Sequence, residues 1–230
     1  MLQVGSVALV LILTSATTAR IWAGPPELVA LTPSDLHHVV PPVFEQAPIS
    51  AVEAARLREK AWHSGCPAEI EELRVLTVSY WDFHGVARRG LLVVNRAVAA
   101  DLLSIFAKLF AHGFLIQTMR PIEEFAGDDE ASMEANNTSA FNCRDITGKP
   151  GTFSNHSWGR AVDINPLTNP MILNGSPLPP QGSVYADRTQ AWPGSILDGS
   201  FIVNLFRAQG WTWGGEWKNP DYQHFEKPGH

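Results

Sequence analysis

The chain has 230 residues, 45% of them hydrophobic and 17% charged, with a formal net charge of −6. This is ordinary globular composition with length enough for one sizeable core. Basic residues are scattered with no Lys/Arg cluster and acids form no long run, so neither a nucleic-acid partner nor an acidic tail is expected.

The first segment reads as an export signal. The apolar run Val7–Ala16, VALVLILTSA, has the length of a signal-peptide core and is too short for a membrane span. Small residues allow cleavage after Ala16 or Ala23. No Lys or Arg precedes the run, the first basic residue being Arg20, so a buried N-terminal helix is the alternative. Residues 1–23 are therefore expected to be a signal peptide, and the mature protein to be secreted or held in the cell envelope without a stable membrane span. Residues 24–48 are proline-rich and lack a period, which suggests a linker or arm. Its His37-His38 pair reads as exposed polar residues rather than metal ligands.

Residues 49–230 are expected to form one domain. Val52, Ala55, Leu57 and Ala61 recur at helical spacing, with Gly65 as a stop. The run ELRVLTVSYWDF (residues 72–83) alternates like a strand, and ARRGLLVVN (87–95) is its hairpin partner across HGV. Residues 96–113 give the clearest helix, with an apolar face of Leu102, Leu103, Phe106, Leu109 and Phe110 and with Gly113 at the C-cap. His112 fits there as a last-turn cation. A short strand, FLIQTMR, ends at Arg120. Residues 121–153 read as a long polar loop, and residues 165–199 as another, rich in Pro and Gly. Residues 200–210 form a short helix capped by Gly210. Adjacent strands with few crossovers favour an α+β domain, with a mainly antiparallel sheet flanked by helices and long loops over a cleft, and the protein is expected to be a monomer.

The two cysteines, Cys66 and Cys143, form an even pair, which in an exported protein suggests a disulfide. Two unpaired buried thiols are the alternative. Neither has a CxxC or Cys/His neighbour pattern, so no zinc–thiolate site is expected.

In SNHSWGRAVDINP (residues 154–166), His156 and Asp163 stand seven residues apart. A straight strand would separate them by about 23 Å, whereas ligands of one metal each lie about 2.0–2.2 Å from it. They can meet only if the chain bends, and Gly159 would permit the bend. A third ligand stands near the end, His224 in DYQHFE. Two imidazoles and a carboxylate suit one catalytic zinc per chain with an open position for water. Asp221 is then free to act as general base, provided a turn after Pro220 brings it to the side of His224.

The same residues resemble a family. Ser154, His156, Gly159, Ala161 and Asp163 match the S-x-H-x-x-G-x-A-x-D signature of the M15 family zinc peptidases, the D-alanyl-D-alanine carboxypeptidase and VanY-like group. WGGEWKNPDYQHFE is similar to that group's second motif, nearest to its L-alanyl-D-glutamate endopeptidases. The resemblance covers about residues 65–228. It implies zinc ligands at His156, Asp163 and His224, with Asp221 as base. It also implies an arginine that polarises the scissile carbonyl, for which Arg120 fits by position and Arg144 competes, and a substrate contact from Ser154. The chain has Glu216 where the nearest subfamily has aspartate, which makes Glu216 a rival base. The function so implied is an exported zinc peptidase cutting peptidoglycan stem peptides. The alternative is a zinc-stabilised cell-wall-binding module without catalysis.

Overall fold

In a computed structural model, which describes residues 41–229, the apolar runs around His84–Val86 form an antiparallel hairpin. Its strands are Leu73–Trp81 (β2) and Ala87–Asn95 (β3), in register from Leu73↔Asn95 to Trp81↔Ala87. Asp82 shapes the turn: its Oδ1 accepts the N–H groups of His84 and Val86, both at 2.9 Å, and its Oδ2 pairs with Arg88 Nε at 2.8 Å. The signal-like run and the His37-His38 pair lie outside the described residues.

Both faces of the hairpin are covered, which is why its strands read as nearly continuous apolar runs. Leu76, Val78 and Tyr80 pack with Val98, Leu102, Ile105 and Phe106 of the helix Arg96–His112 (α2). Leu73, Val75 and Val93 face Ala54 and Leu57 of the helix Ala51–Lys60 (α1). Asn95 caps α2 by accepting the Ala97 N–H, and Gly113 ends it in the left-handed conformation at φ 76°. The expected apolar face of α2 holds at Leu102, Phe106 and Leu109, while Leu103 and Phe110 are only half-buried. Phe110 stacks instead on Trp81, with ring centroids 4.8 Å apart. In α1, Val52 is exposed and the Ser50–Glu53 capping box fixes the start.

Four sequence expectations need correction. The proline-rich arm does not run intact to residue 48, because Phe44–Pro48 (β1) joins the sheet antiparallel to β2. The segment 121–153 is not a bare loop. It contains a 3-10 turn at Ile122–Phe125, the helix Asp129–Glu134 (α3), a strand Asn137–Thr138 (β5), and a hairpin of Asp145–Ile146 (β6) with Lys149–Phe153 (β7). The strand before it shrinks to Thr118–Met119 (β4), which pairs with β5 in parallel, unlike the other paired strands, which are antiparallel. Residues 165–199 likewise hold a hairpin, Met171–Leu173 (β9) with Ser176–Leu178 (β10). Short polar side chains organise these segments: Asp128 caps α3, and Asn137 binds the Arg120 backbone and Ser132. Local hydrogen bonds of this kind leave no period in the sequence.

Cys66 and Cys143 are joined, with Cα atoms 6.0 Å apart across 77 residues of sequence. The bridge ties the entrance of β2 to the segment leading into the first motif. A second sheet, in the order β11–β12–β8, comprises Thr212–Trp213 (β11), His224–Glu226 (β12) and Ala161–Asp163 (β8). It shares a core with the first: Val162 and Phe225 lie in one buried cluster with Leu76 and Leu92, and Phe225 stacks on Phe206 of the helix Phe201–Ala208 (α4) at 3.9 Å. No helix among the described residues is long and apolar enough to cross a membrane.

Candidate metal centre

The chain bends between His156 and Asp163 as their chemistry requires. Ser154 starts a 3-10 turn over Asn155–Trp158, its Oγ accepting the His156 N–H at 3.3 Å. His156 therefore sits on this turn and not in a strand. Gly159 ends the turn at φ +64°, and its carbonyl accepts the Asn95 N–H of β3 at 2.8 Å. A Cβ at Gly159 would stand 2.7 Å from that Asn95 nitrogen. Both the turn and the close approach of two backbones demand glycine here.

From Gly159 the chain enters β8, where Asp163 stands opposite His224 of β12. The three side chains converge in the buried layer beneath the cleft. Asp163 Oδ1 lies 2.9 Å from His224 Nδ1 and Oδ2 lies 3.1 Å from His156 Nε2, while the two ring nitrogens are 3.2 Å apart. Four ligands about 2.1 Å from a tetrahedral ion stand about 3.4 Å from one another. The observed set is within a few tenths of an ångström of that spacing.

The outward ring nitrogens are also fixed. His156 Nδ1 donates to the Ala140 carbonyl, which leaves Nε2 to face the centre. His224 Nε2 donates to Glu226 Oε2 at 3.0 Å, and the same oxygen accepts Asn155 Nδ2 at 2.7 Å. Partners of this kind set the tautomer and orientation of metal-binding histidines. Electrostatics agree. Burial opposes ionisation of Asp163, yet the two histidines hold its carboxyl well below the usual range. Burial also opposes the charge on His224, but Asp163 and Glu226 overcome it and push the imidazole up to about 10. The ligand atoms of the three side chains lie within 4.8 Å of one another, a set that could hold a metal ion. A second cluster, His63 with Cys66 and Cys143, offers no such site because the cysteines are bonded to each other.

Asp221 lies beside this set. Its N–H donates to the Gly214 carbonyl and its carbonyl accepts the His224 N–H, so residues 221–224 form the turn that the spacing required. The side chain is buried, and Oδ1 has no hydrogen-bond partner. Burial first, and then the charge of Asp163, push its carboxyl up to about 6. Asp221, His156 and His224 line one cleft of about 520 Å³, walled by Ile146, Met171, Leu173 and Trp217.

Other candidates sort differently. Arg120 is outside the cleft lining: it pairs with Glu124 at 2.7 Å and lies over the Phe125 ring. Arg144 lines the cleft, paired with Asp129 at 3.0 Å, and its Nε is buried without a partner. Glu216 turns outward to pair with Arg207 and takes no part in the lining. Ser154 lines the cleft, with its hydroxyl engaged in capping the His156 turn. Glu226 and Asn155 are the residues that sequence reasoning missed. Glu226 could have been found, since a strand places residues two apart on one side. Asn155 carries no such signal.

A family model described as D-alanyl-D-alanine carboxypeptidase matches residues 147–227. That segment contains His156, Asp163, Asp221 and His224, and the match supports an M15 family peptidase. No solved structure matches the chain.

Proposed function

We propose that the protein is an exported zinc peptidase that hydrolyses peptide bonds in peptidoglycan stem peptides, of the L-Ala–D-Glu endopeptidase or D-Ala–D-Ala carboxypeptidase type. The observation that carries this reading is the buried convergence of His156 Nε2, His224 Nδ1 and the Asp163 carboxylate beside the unpartnered oxygen of Asp221. Those three side chains would hold one zinc ion. Zinc so held supplies a Lewis acid and brings the pKa of a water near 7.

The remaining steps fall to the chain's own residues. Asp221 lines the cleft, and a carboxyl pushed toward 6 is a better base near neutrality than an ordinary aspartate. It takes the proton from the attacking water as the oxygen bonds to the scissile carbonyl carbon. It then returns the proton to the departing amine. Arg144 is better placed than Arg120 to meet the oxygen that gains charge, because it lines the cleft and Arg120 does not. Ser154 acts through the turn that aims His156. Export through residues 1–23 belongs to the same proposal, and the Cys66–Cys143 bridge supports it, since such bonds persist in oxidising compartments.

The test is digestion of purified muropeptides by the zinc-loaded protein, with products read by mass. Their masses separate endopeptidase from carboxypeptidase. Asp221→Asn should keep zinc and lose roughly 10²–10⁴-fold in turnover. Glu216→Gln should stay active, and His156→Ala should lose zinc. A wild type that binds muropeptides with zinc but never cuts them would instead be a wall-binding module.

A further inference from the structure

We propose that Lys149 and Lys218 form a carboxylate subsite at the cleft mouth, so that the protein selects peptides with a free carboxylate near the scissile bond over their amidated counterparts. The inference rests on the peptidase reading and names the chemistry of its substrate.

Lys149 opens β7, and Lys218 follows Trp217 in the loop after β11. Two separate segments thus contribute a lysine to the lining of the same cleft, which Arg144 also lines. Both lysines are exposed, and neither has a carboxylate within 4.0 Å among the described residues. Some other cations of the domain have a carboxylate partner, such as Arg88 with Asp82, Arg120 with Glu124, Arg144 with Asp129, Arg207 with Glu216 and Lys227 with Asp101, while others such as Arg89 and Lys108 have none among the described residues. In a chain of net charge −6, the cleft lining holds three cations, Arg144, Lys149 and Lys218, against two acids.

The acids of the lining do not cancel them. Only Asp221 and Glu226 are acidic there, and both are engaged below the mouth: Asp221 is buried beside the histidines, and Glu226 is bonded to His224 and Asn155. A cleft lined by one sign of charge raises the local concentration of ligands of the other sign. Ile146, Met171, Leu173 and Trp217 supply apolar contact for the alkyl parts of a peptide. The fitting ligand is therefore an acidic peptide. Stem peptides offer two internal sources, the free carboxylate of a γ-linked glutamate and the second carboxylate of a diamino acid.

The experiment uses the zinc-loaded full chain and peptide pairs differing in one group, carboxylate or amide. One pair varies at the glutamate and the other at the diamino acid. Exposed ion pairs are individually weak, so each lysine is expected to be worth roughly 2–5-fold and the two together about 4–25-fold in kcat/KM at low ionic strength. The preference should appear mainly in KM. It should shrink in 0.5 M salt, where screening is about twice as short-ranged as in 0.1 M. The pair that shows it identifies the carboxylate. The double variant Lys149→Gln/Lys218→Gln should cut acid and amide alike, with zinc content unchanged. Equal wild-type rates on both members of both pairs, or a preference that survives the double variant, would overturn the subsite. If no peptide is cut at all, the peptidase reading has failed instead. Calorimetric titration of the same pairs then decides the subsite, with equal affinities counting against it.

Discussion

Replacing Glu226 by glutamine changes one charge and almost nothing else. A single oxygen, Oε2, accepts from both His224 Nε2 and Asn155 Nδ2. A glutamine carbonyl can accept the same two donors, so the geometry survives while the carboxylate charge goes. Hydrogen bonds to charged groups contribute about 1.5–3 kcal/mol and neutral ones about 0.5–1.5. The difference, about 1–1.5 kcal/mol, corresponds to about 5–12-fold in zinc affinity. The side chain is only 17% exposed, so solvent takes little of it away. One effect works in the other direction. The same carboxylate favours the second proton on His224, which zinc must displace in a site whose imidazole is pushed up to about 10. Near pH 7 the loss should therefore sit at about 5-fold. Glu226→Ala frees the ring and strands Asn155, and should cost toward 100-fold, the upper range for such partners. Zinc competition against a chelator measures both variants, and the visible absorption of cobalt-substituted protein reports the ligand geometry. If both bind zinc as tightly as wild type, Glu226 does not position His224. If both weaken equally, packing rather than charge is responsible.

Further perturbations test the scaffold. Gly159→Ala places a Cβ 2.7 Å from the Asn95 nitrogen in a left-handed residue and should destabilise by about 2–4 kcal/mol in urea unfolding. Gly113→Ala, equally left-handed but with nothing within 4 Å, should cost only about 1–2 kcal/mol, and equal losses would refute the close-approach argument. Breaking the Cys66–Cys143 bridge opens a loop of 77 residues, for which the chain-entropy relation gives about 4.5 kcal/mol; an unchanged denaturation midpoint in reductant would contradict it. Glu123 is half-buried, and burial raises its carboxyl above the ordinary 4.5. An acid raised on folding contributes most when protonated, below pH 4.5, and costs stability as pH climbs through its folded value. Glu123→Gln should therefore raise Tm at pH 7–8, with the gain vanishing near pH 4; a gain of the same size at both pH values would exclude a titration effect.

What the sequence made legible follows from range. The β2–β3 hairpin declares itself by two nine-residue, largely apolar runs either side of a short turn, and α2 by a 3.6-residue period sustained over 17 residues against a core. The three candidate ligands are legible for another reason: their chemistry restricts geometry so tightly that the bend at Gly159 and the turn at Asp221 could be required before either was seen. The segment 121–153 gave neither signal. Its order comes from Asp128, Asn137 and Cys143, each bonded to a partner that no period predicts. The same gap misplaces the arginine. By position, Arg120 at the end of a strand is the natural candidate, but β4 is two residues long and the chain leaves it into a turn where Glu124 and Phe125 occupy the guanidinium. Arg144 reaches the cleft because the bridge at Cys143 and the Ser157 hydroxyl, which accepts the Arg144 N–H at 2.8 Å, hold the chain against the His156 turn. Which arginine faces the cleft is thus decided by how the segment between them folds.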